Sequence, residues 1–199
     1  MNYPKYVEIN GRKYEINTDF RFAIECNRIA NDETIGDFER VLGIIYTLFG
    51  EEGLEHQEDY EKLLEMAKKY LCCGKELKDK KEEPDMDYIE DYDYIVASFQ
   101  SDYSINLDEV KMHWWKFFKL MNGLSNSELS NCCVLNRVRN LRNFDPKKIE
   151  DDKERNKIIE AQKDVALKRN KKNKKYANEK QEKSALKLYE ALGLEVRKE

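Results

Sequence analysis

Residues 112–121 read MHWWKFFKLM, which places four aromatic side chains and two methionines in ten positions of a chain whose charged residues make up 38%. Such a stretch anchors a core, grips a partner or stacks on bases. Projected at about 100° per residue, Leu107, Val110, Trp114, Phe117, Phe118, Met121 and Leu124 share one face, with Trp115 at its margin. The spacing predicts a helix capped by Asn106 or Asp108 and stopped by Gly123. Trp114, Phe117, Phe118 and Met121 are its structural core, and burying each ring contributes about 2 to 3 kcal/mol. Lys111, Lys116 and Lys119 flank the stripe, where their stems can cover it while the charges stay in water. The partner-binding residues are expected to be His113, Trp115, Lys116 and Lys119, because tryptophans are frequent interface hot spots. Alanine at Trp114 is therefore expected to destabilise the fold, and alanine at Trp115 to weaken partner binding.

Helical patterns flank this stretch. Before it, Ile89, Tyr92, Val96, Phe99 and Tyr103 recur at helical steps. After it, Ser125 and Glu128 have capping-box spacing ahead of Leu129, Cys132, Leu135, Val138 and Leu141. Asp145-Pro146 reads as a cap followed by proline at a first helical position. From 147 to about 175 apolar residues are too sparse for a buried stripe, while 184–193, SALKLYEALG, regains one.

The amino-terminal part is different. In KYVEINGRKYEI, Asn10-Gly11 lies between two alternating runs and suits a two-residue type I′ turn. That register sets Val7 opposite Tyr14, Glu8 opposite Lys13 and Ile9 opposite Arg12. A lone hairpin is marginal in water, so it must lie on the helices that follow. One helix carries Phe22, Cys26, Ile29 and Ala30, widened by Phe20 and Ile24. A second, capped by Thr34, carries Phe38, Val41, Leu42, Ile45, Leu48 and Phe49, and a third carries Tyr60, Leu63, Leu64, Ala67 and Leu71 and ends near Gly74. The fold class expected is mainly α: helical bundle-like units with an N-terminal β-hairpin and a long charged C-terminal helix or arm. Four segments follow: hairpin and helices (1–75), an acidic linker (76–88), an aromatic helical domain (89–144) and a charged helical arm (145–199).

The net charge of −4 over 199 residues gives no global field to gather nucleic acid. The basic run KRNKKNKK, residues 168–175, is a solvated helix end, a partner for the acids at 82–93, or a local phosphate-binding arm. The carboxylates at 82–93 lack the glycine-centred spacing of a calcium loop. Five cysteines, two pairs of them adjacent, fit neither a disulfide framework nor zinc-ligand spacing. No phosphate loop, nucleophile elbow or histidine pair is present, so no catalytic residue, cofactor or metal is expected. The start lacks the basic and apolar regions of a secretory signal, and no apolar run is long enough to span a bilayer.

Residues 91–139, DYDYIVASFQSDYSINLDEVKMHWWKFFKLMNGLSNSELSNCCVLNRVR, resemble a family of small tailed-phage and prophage proteins encoded near the major tail and tape-measure genes. The resemblance rests on Asp91 to Phe99, Tyr103 to Leu107, the His-Trp-Trp-Lys-Phe core at His113 to Phe117, and the turn at Met121 to Leu124. It implies a non-catalytic tail-assembly protein of the host bacterial cytoplasm, a chaperone for the tape-measure protein during tail-tube assembly. The implied partners are the tape-measure protein, the major tail protein or a second copy of the chain, with no membrane. The alternatives are a structural tail or connector component of the virion, or a nucleic-acid-binding regulator using the basic arm.

Overall fold

The computed structural model describes residues 3–75, 84–126 and 132–167, and these form two compact units. Unit 1 comprises the described residues of Met1–Leu77 together with Met112–Trp115; unit 2 comprises those of Lys78–Lys111 and Lys116–Arg169. The aromatic stretch is thus divided, its first four residues packing with the amino-terminal part of the chain.

In unit 1, strands β1 (Tyr6–Ile9) and β2 (Arg12–Glu15) pair antiparallel with Val7 opposite Tyr14, Glu8 opposite Lys13 and Ile9 opposite Arg12, the register the alternation predicts. Asn10 (φ 52°) and Gly11 (φ 80°) both adopt left-handed backbone, as a type I′ turn requires. Three helices follow: α1 (Phe20–Asn31), α2 (Asp37–Phe49) and α3 (Tyr60–Leu71). They enclose Phe20, Ile24, Cys26, Ile45, Leu48, Leu63 and Ala67, all buried.

The hairpin is fastened by Asp59, a fully buried residue just before α3. Its carboxylate accepts from the Tyr14 hydroxyl at 2.7 Å, from Arg12 Nη1 at 2.8 Å and from Asn10 Nδ2. Burial alone would raise its pKa, but the hydrogen bonds from Tyr14, Arg12 and Asn10 outweigh it and hold the group below its usual 3.8. Burial and the bond to Asp59 in turn push Tyr14 up to about 12. A charge with three donors is one that a protein interior tolerates, and here it fixes the turn against the third helix.

Unit 2 contains α4 (Tyr92–Tyr103), most of α5 (Trp114–Asn122), α6 (Val134–Asn143) and α7 (Asp152–Asp164). Phe117 stacks on Phe99, with ring centroids 5.1 Å apart and planes 10° from parallel, and both are buried. Ser98 faces α6, its hydroxyl donating to Tyr94 O at 2.7 Å and accepting from Leu135 N at 3.0 Å. The buried Asp91 and the partly buried Arg142 form a two-pronged pair at 2.7 Å on each prong. Arg142 also donates to the carbonyls of Asp85 and Val165, and Asp85 accepts from Arg139 and Asn143. The acids at 85 and 91 are therefore anchors for α6. Gln162 of α7 reaches the carbonyls of Leu141 and Phe144 near the end of α6, so the described part of the charged arm packs on unit 2.

Several local expectations are corrected. The fifth helix begins at Trp114, not after Asn106 or Asp108, because Met112 and His113 pair as a short bridge with the segment before α1. Phe20 N donates to Met112 O at 2.9 Å, Trp114 N to Thr18 O at 2.8 Å and Met112 N to Asp19 Oδ2 at 3.1 Å. Asp19 also caps α1 by accepting from Arg21 N, which sets the helix phase so that Phe20, Ala23 and Ile24 point inward. Phe22 and Ala30 consequently face solvent. The cap of α2 is Gly36, whose N–H donates to Glu39, while Thr34 instead donates to the Asp32 carboxylate in a local turn. In α4 the inward residues are Ile95, Ser98 and Phe99, and Ile89 precedes the helix and is exposed.

Asp145 caps only a single tight turn, Pro146–Lys148, and α7 has its own cap at Asp151. The capping-box glutamate Glu128, with Leu129, lies outside the described residues, as do the linker's first part, the basic run and 184–193; α6 itself begins after Cys133.

Candidate functional site: the double-tryptophan cluster

The sequence-selected residues of unit 1 meet at the carboxy-terminal end of α3. A helix end leaves carbonyls short of intrahelical donors, and here the two indoles add to them, the Trp115 indole joining Cys73 N on the Tyr70 carbonyl. Trp114 Nε1 donates to Leu71 O and Trp115 Nε1 to Tyr70 O, both at 2.9 Å. The chain leaves α3 through two left-handed residues, Cys73 (φ 54°) and Gly74 (φ 70°). A Cβ at Gly74 would stand 3.5 Å from the Trp115 ring, so the turn closes directly beside the indole.

Adjacent helix positions point about 100° apart, yet these two side chains reach consecutive carbonyls of one helix end. Trp114 is 4% exposed and Trp115 half-buried. Trp115 thus has a structural contact in addition to the binding role expected of it. Phenylalanine at Trp115 keeps much of the ring but removes the N–H, and is expected to cost about 1 kcal/mol. Urea melts of the variant beside the parent chain measure that loss.

His113 stands just before α5 and does the work of a capping side chain. Its Nδ1 accepts from Trp115 N at 3.0 Å, and Nε2 lies 2.9 Å from Pro4 O. A lone pair is needed toward the amide and a proton toward the carbonyl, which selects the neutral Nε2–H tautomer. Tyr3 stacks on the imidazole at 4.8 Å and meets Trp115 edge-on at 6.4 Å. Tyr70 contacts the same two rings at 5.9 Å and 6.2 Å. Burial lowers the His113 pKa, with Lys5 adding to the effect and the Pro4 carbonyl opposing it.

The remaining sequence-selected residues divide. Lys116 and Lys119 are exposed on the outward side of α5, Phe117 is buried in unit 2, and Phe118 and Met121 are half-buried there. The sequence reading did not single out Tyr3, Pro4 or Tyr70 for this cluster, nor Asp19, which ties Met112 to the start of α1. Tyr70 carried a faint signal, since it falls seven positions after Leu63 on the inward face of α3; Tyr3 and Pro4 carried none. Among the described residues, no group of three or more His, Cys, Asp or Glu is placed to hold a metal ion, and no helix is long and apolar enough to cross a membrane.

A family model described as bacteriophage Gp15 protein matches residues 2–167, most of the chain and all of both units' described residues from Tyr3 onward. The chain belongs to the bacteriophage Gp15 protein family. No curated protein and no solved structure gives a significant match. For this Gp15 family member the matched span includes the hairpin, the Asp59 anchor, the double tryptophan and α7, and so covers every helix and strand among the described residues.

Proposed function

We propose that this phage protein is a non-catalytic tail-assembly factor, a chaperone that binds the tape-measure protein in the host cytoplasm while tail-tube subunits assemble around it. The observation that carries the reading is the surface at the start of α5. There a half-buried tryptophan and histidine stand in a phage-family chain, and Lys116 and Lys119, later in the same helix, are exposed. Aromatic side chains beside long cationic ones suit reversible capture of an amphipathic helix, the ring supplying apolar area and the lysines reaching acids on the client. The buried carboxylates Asp59 and Asp91 are engaged by donors within the fold, which also favours a binding role over chemistry.

Co-expression tests the proposal. The tape-measure protein encoded with this chain is expected to stay soluble when the two are made together and to be pulled down with it. Glutamate at both Lys116 and Lys119 is expected to weaken capture at least tenfold without changing the denaturant midpoint. A client equally soluble alone, or capture unaffected by the double charge reversal, rejects this reading. A stoichiometric amount of the chain in purified particles replaces the transient role with a structural one.

A further inference from the structure

The basic run at 168–175 and the apolar stripe of 184–193, both beyond the described residues, call for an acidic and an apolar partner. The acids at 82–93 serve the run poorly, since Asp85 accepts from Arg139 and Asn143 and Asp91 accepts from Arg142. We infer that the carboxy-terminal arm docks on its own chain, the stripe of 184–193 lying along α2 and the cations before it meeting the acids that follow α2. The inference goes beyond the proposed client, because both surfaces belong to one chain.

α2 offers the apolar half. Its inward residues are Ile44, Ile45, Leu48 and Phe49. Phe38, Leu42 and Tyr46, spaced four apart, form a second line beside them. Phe38 and Leu42 are half-buried and Tyr46 is 52% exposed. On the arm, Ala185, Leu188, Tyr189 and Leu192 fall within one face about 100° wide when projected as a helix, and Gly193 is a helix stop. Two such stripes cover one another by ordinary helix packing.

The acidic half lies at the end of the same helix. A Cβ on Gly53 would stand 2.8 Å from Phe49 Cβ and 2.9 Å from Ile45 Cγ2, so the tight turn Glu51–Leu54 is folded flat against α2. Glu51, Glu52 and Glu55 are exposed there and form no ion pair among the described residues, unlike Glu58 with Arg12 and Glu65 with Lys69. They add to the negative end of the α2 dipole.

Charge and chain order agree with this pairing. Residues 168–199 carry eleven cationic and five acidic side chains, a net +6, so within a chain of net −4 the first 167 residues carry −10. The cations at 168–183 precede the arm's stripe and the acids at 51–55 follow that of α2, the order that suits antiparallel helices. The tether of 16 residues, 168–183, extends to about 55 Å, so its length does not restrict the choice of face.

Hydrogen–deuterium exchange of the full chain, read by mass spectrometry, tests the docking. Residues 185–192 are expected to exchange about tenfold more slowly than the same residues in a synthetic peptide of 180–199, since an isolated helix of that length is marginal. The protection is expected to fall severalfold in about 0.5 M salt, which screens the charge pairing. Tyr46→Asp is expected to abolish it while α1 and α3 keep their own protection. The reciprocal variant, Leu188→Asp with Leu192→Asp, leaves α2 intact and is expected to move the amide NMR signals of Leu42 and Tyr46 while those of Ser98 and Leu135 stay in place.

Exchange of 185–192 at the peptide's rate overturns the docking. So does protection that survives Tyr46→Asp, which would put the stripe on another surface, or protection that grows with protein concentration, which would put it on a second copy. If Tyr46→Asp does not fold, unmoved α2 signals in the arm variant decide against the docking.

Discussion

Alanine at Asp91 is expected to destabilise unit 2 by about 3 to 5 kcal/mol, the loss found when one member of a buried ion pair is removed and the other stays behind uncompensated. The stranded group is Arg142, whose side chain is 11% exposed and whose two terminal nitrogens both lie 2.7 Å from the carboxylate. Asp91 also accepts from Asp87 N, so a backbone donor is orphaned at the same time. Alanine at Arg142 is expected to cost a similar amount, because it leaves Asp91 buried and frees the carbonyls of Asp85 and Val165.

Replacing both with Asp91→Leu and Arg142→Met is expected to recover part of the loss, since a well-packed apolar pair avoids the desolvation of two charges. The recovery is incomplete because those backbone groups remain unsatisfied. Denaturant melts by circular dichroism on the two single variants and the double variant measure this directly. Additive losses in the double variant would show that the pair is not coupled, contrary to the geometry.

Alanine at Trp114 is expected to cost about 3 to 5 kcal/mol, from the cavity left by a large buried ring. Leu71 O also loses its donor. Alanine at Trp115 is expected to cost less, about 2 kcal/mol, because its ring is half-buried and solvent can fill part of the space. Denaturant midpoints for the two variants decide the matter. Equal losses would mean that the indoles serve the fold alike, and that Trp115 has no surface to spare for a partner.

The contrast between these tryptophans illustrates where sequence reading runs out. Spacing separates an inward from a marginal position on α5, and Trp114 and Trp115 occupy those places. Spacing contains nothing about Leu71 and Tyr70, more than forty positions earlier, whose carbonyls the indoles reach. The same holds at the start of the helix. Local signals favour a cap at Asn106 or Asp108, but Thr18, Asp19 and Phe20 take up the backbone groups of Met112 to Trp114 and hold the chain extended there. Phe22 and Ile89, each apolar at a helical step, face water because the phase of a short helix is set by what anchors its ends.

What the sequence by itself determined is the local grammar: the hairpin and its register, six helical segments in order ahead of a charged arm, and the aromatic centre. Side-chain period and turn residues act over a few positions, so they are readable without neighbours. The tertiary structure alone decided the division of α5 between units, the Asp59 and Asp91 anchors, and the His113 contacts with Pro4 and Trp115. These depend on which buried donors meet which buried acceptors across long stretches of chain. That matching is enforced by the cost of leaving a polar group unpaired in the interior, and no periodicity records it.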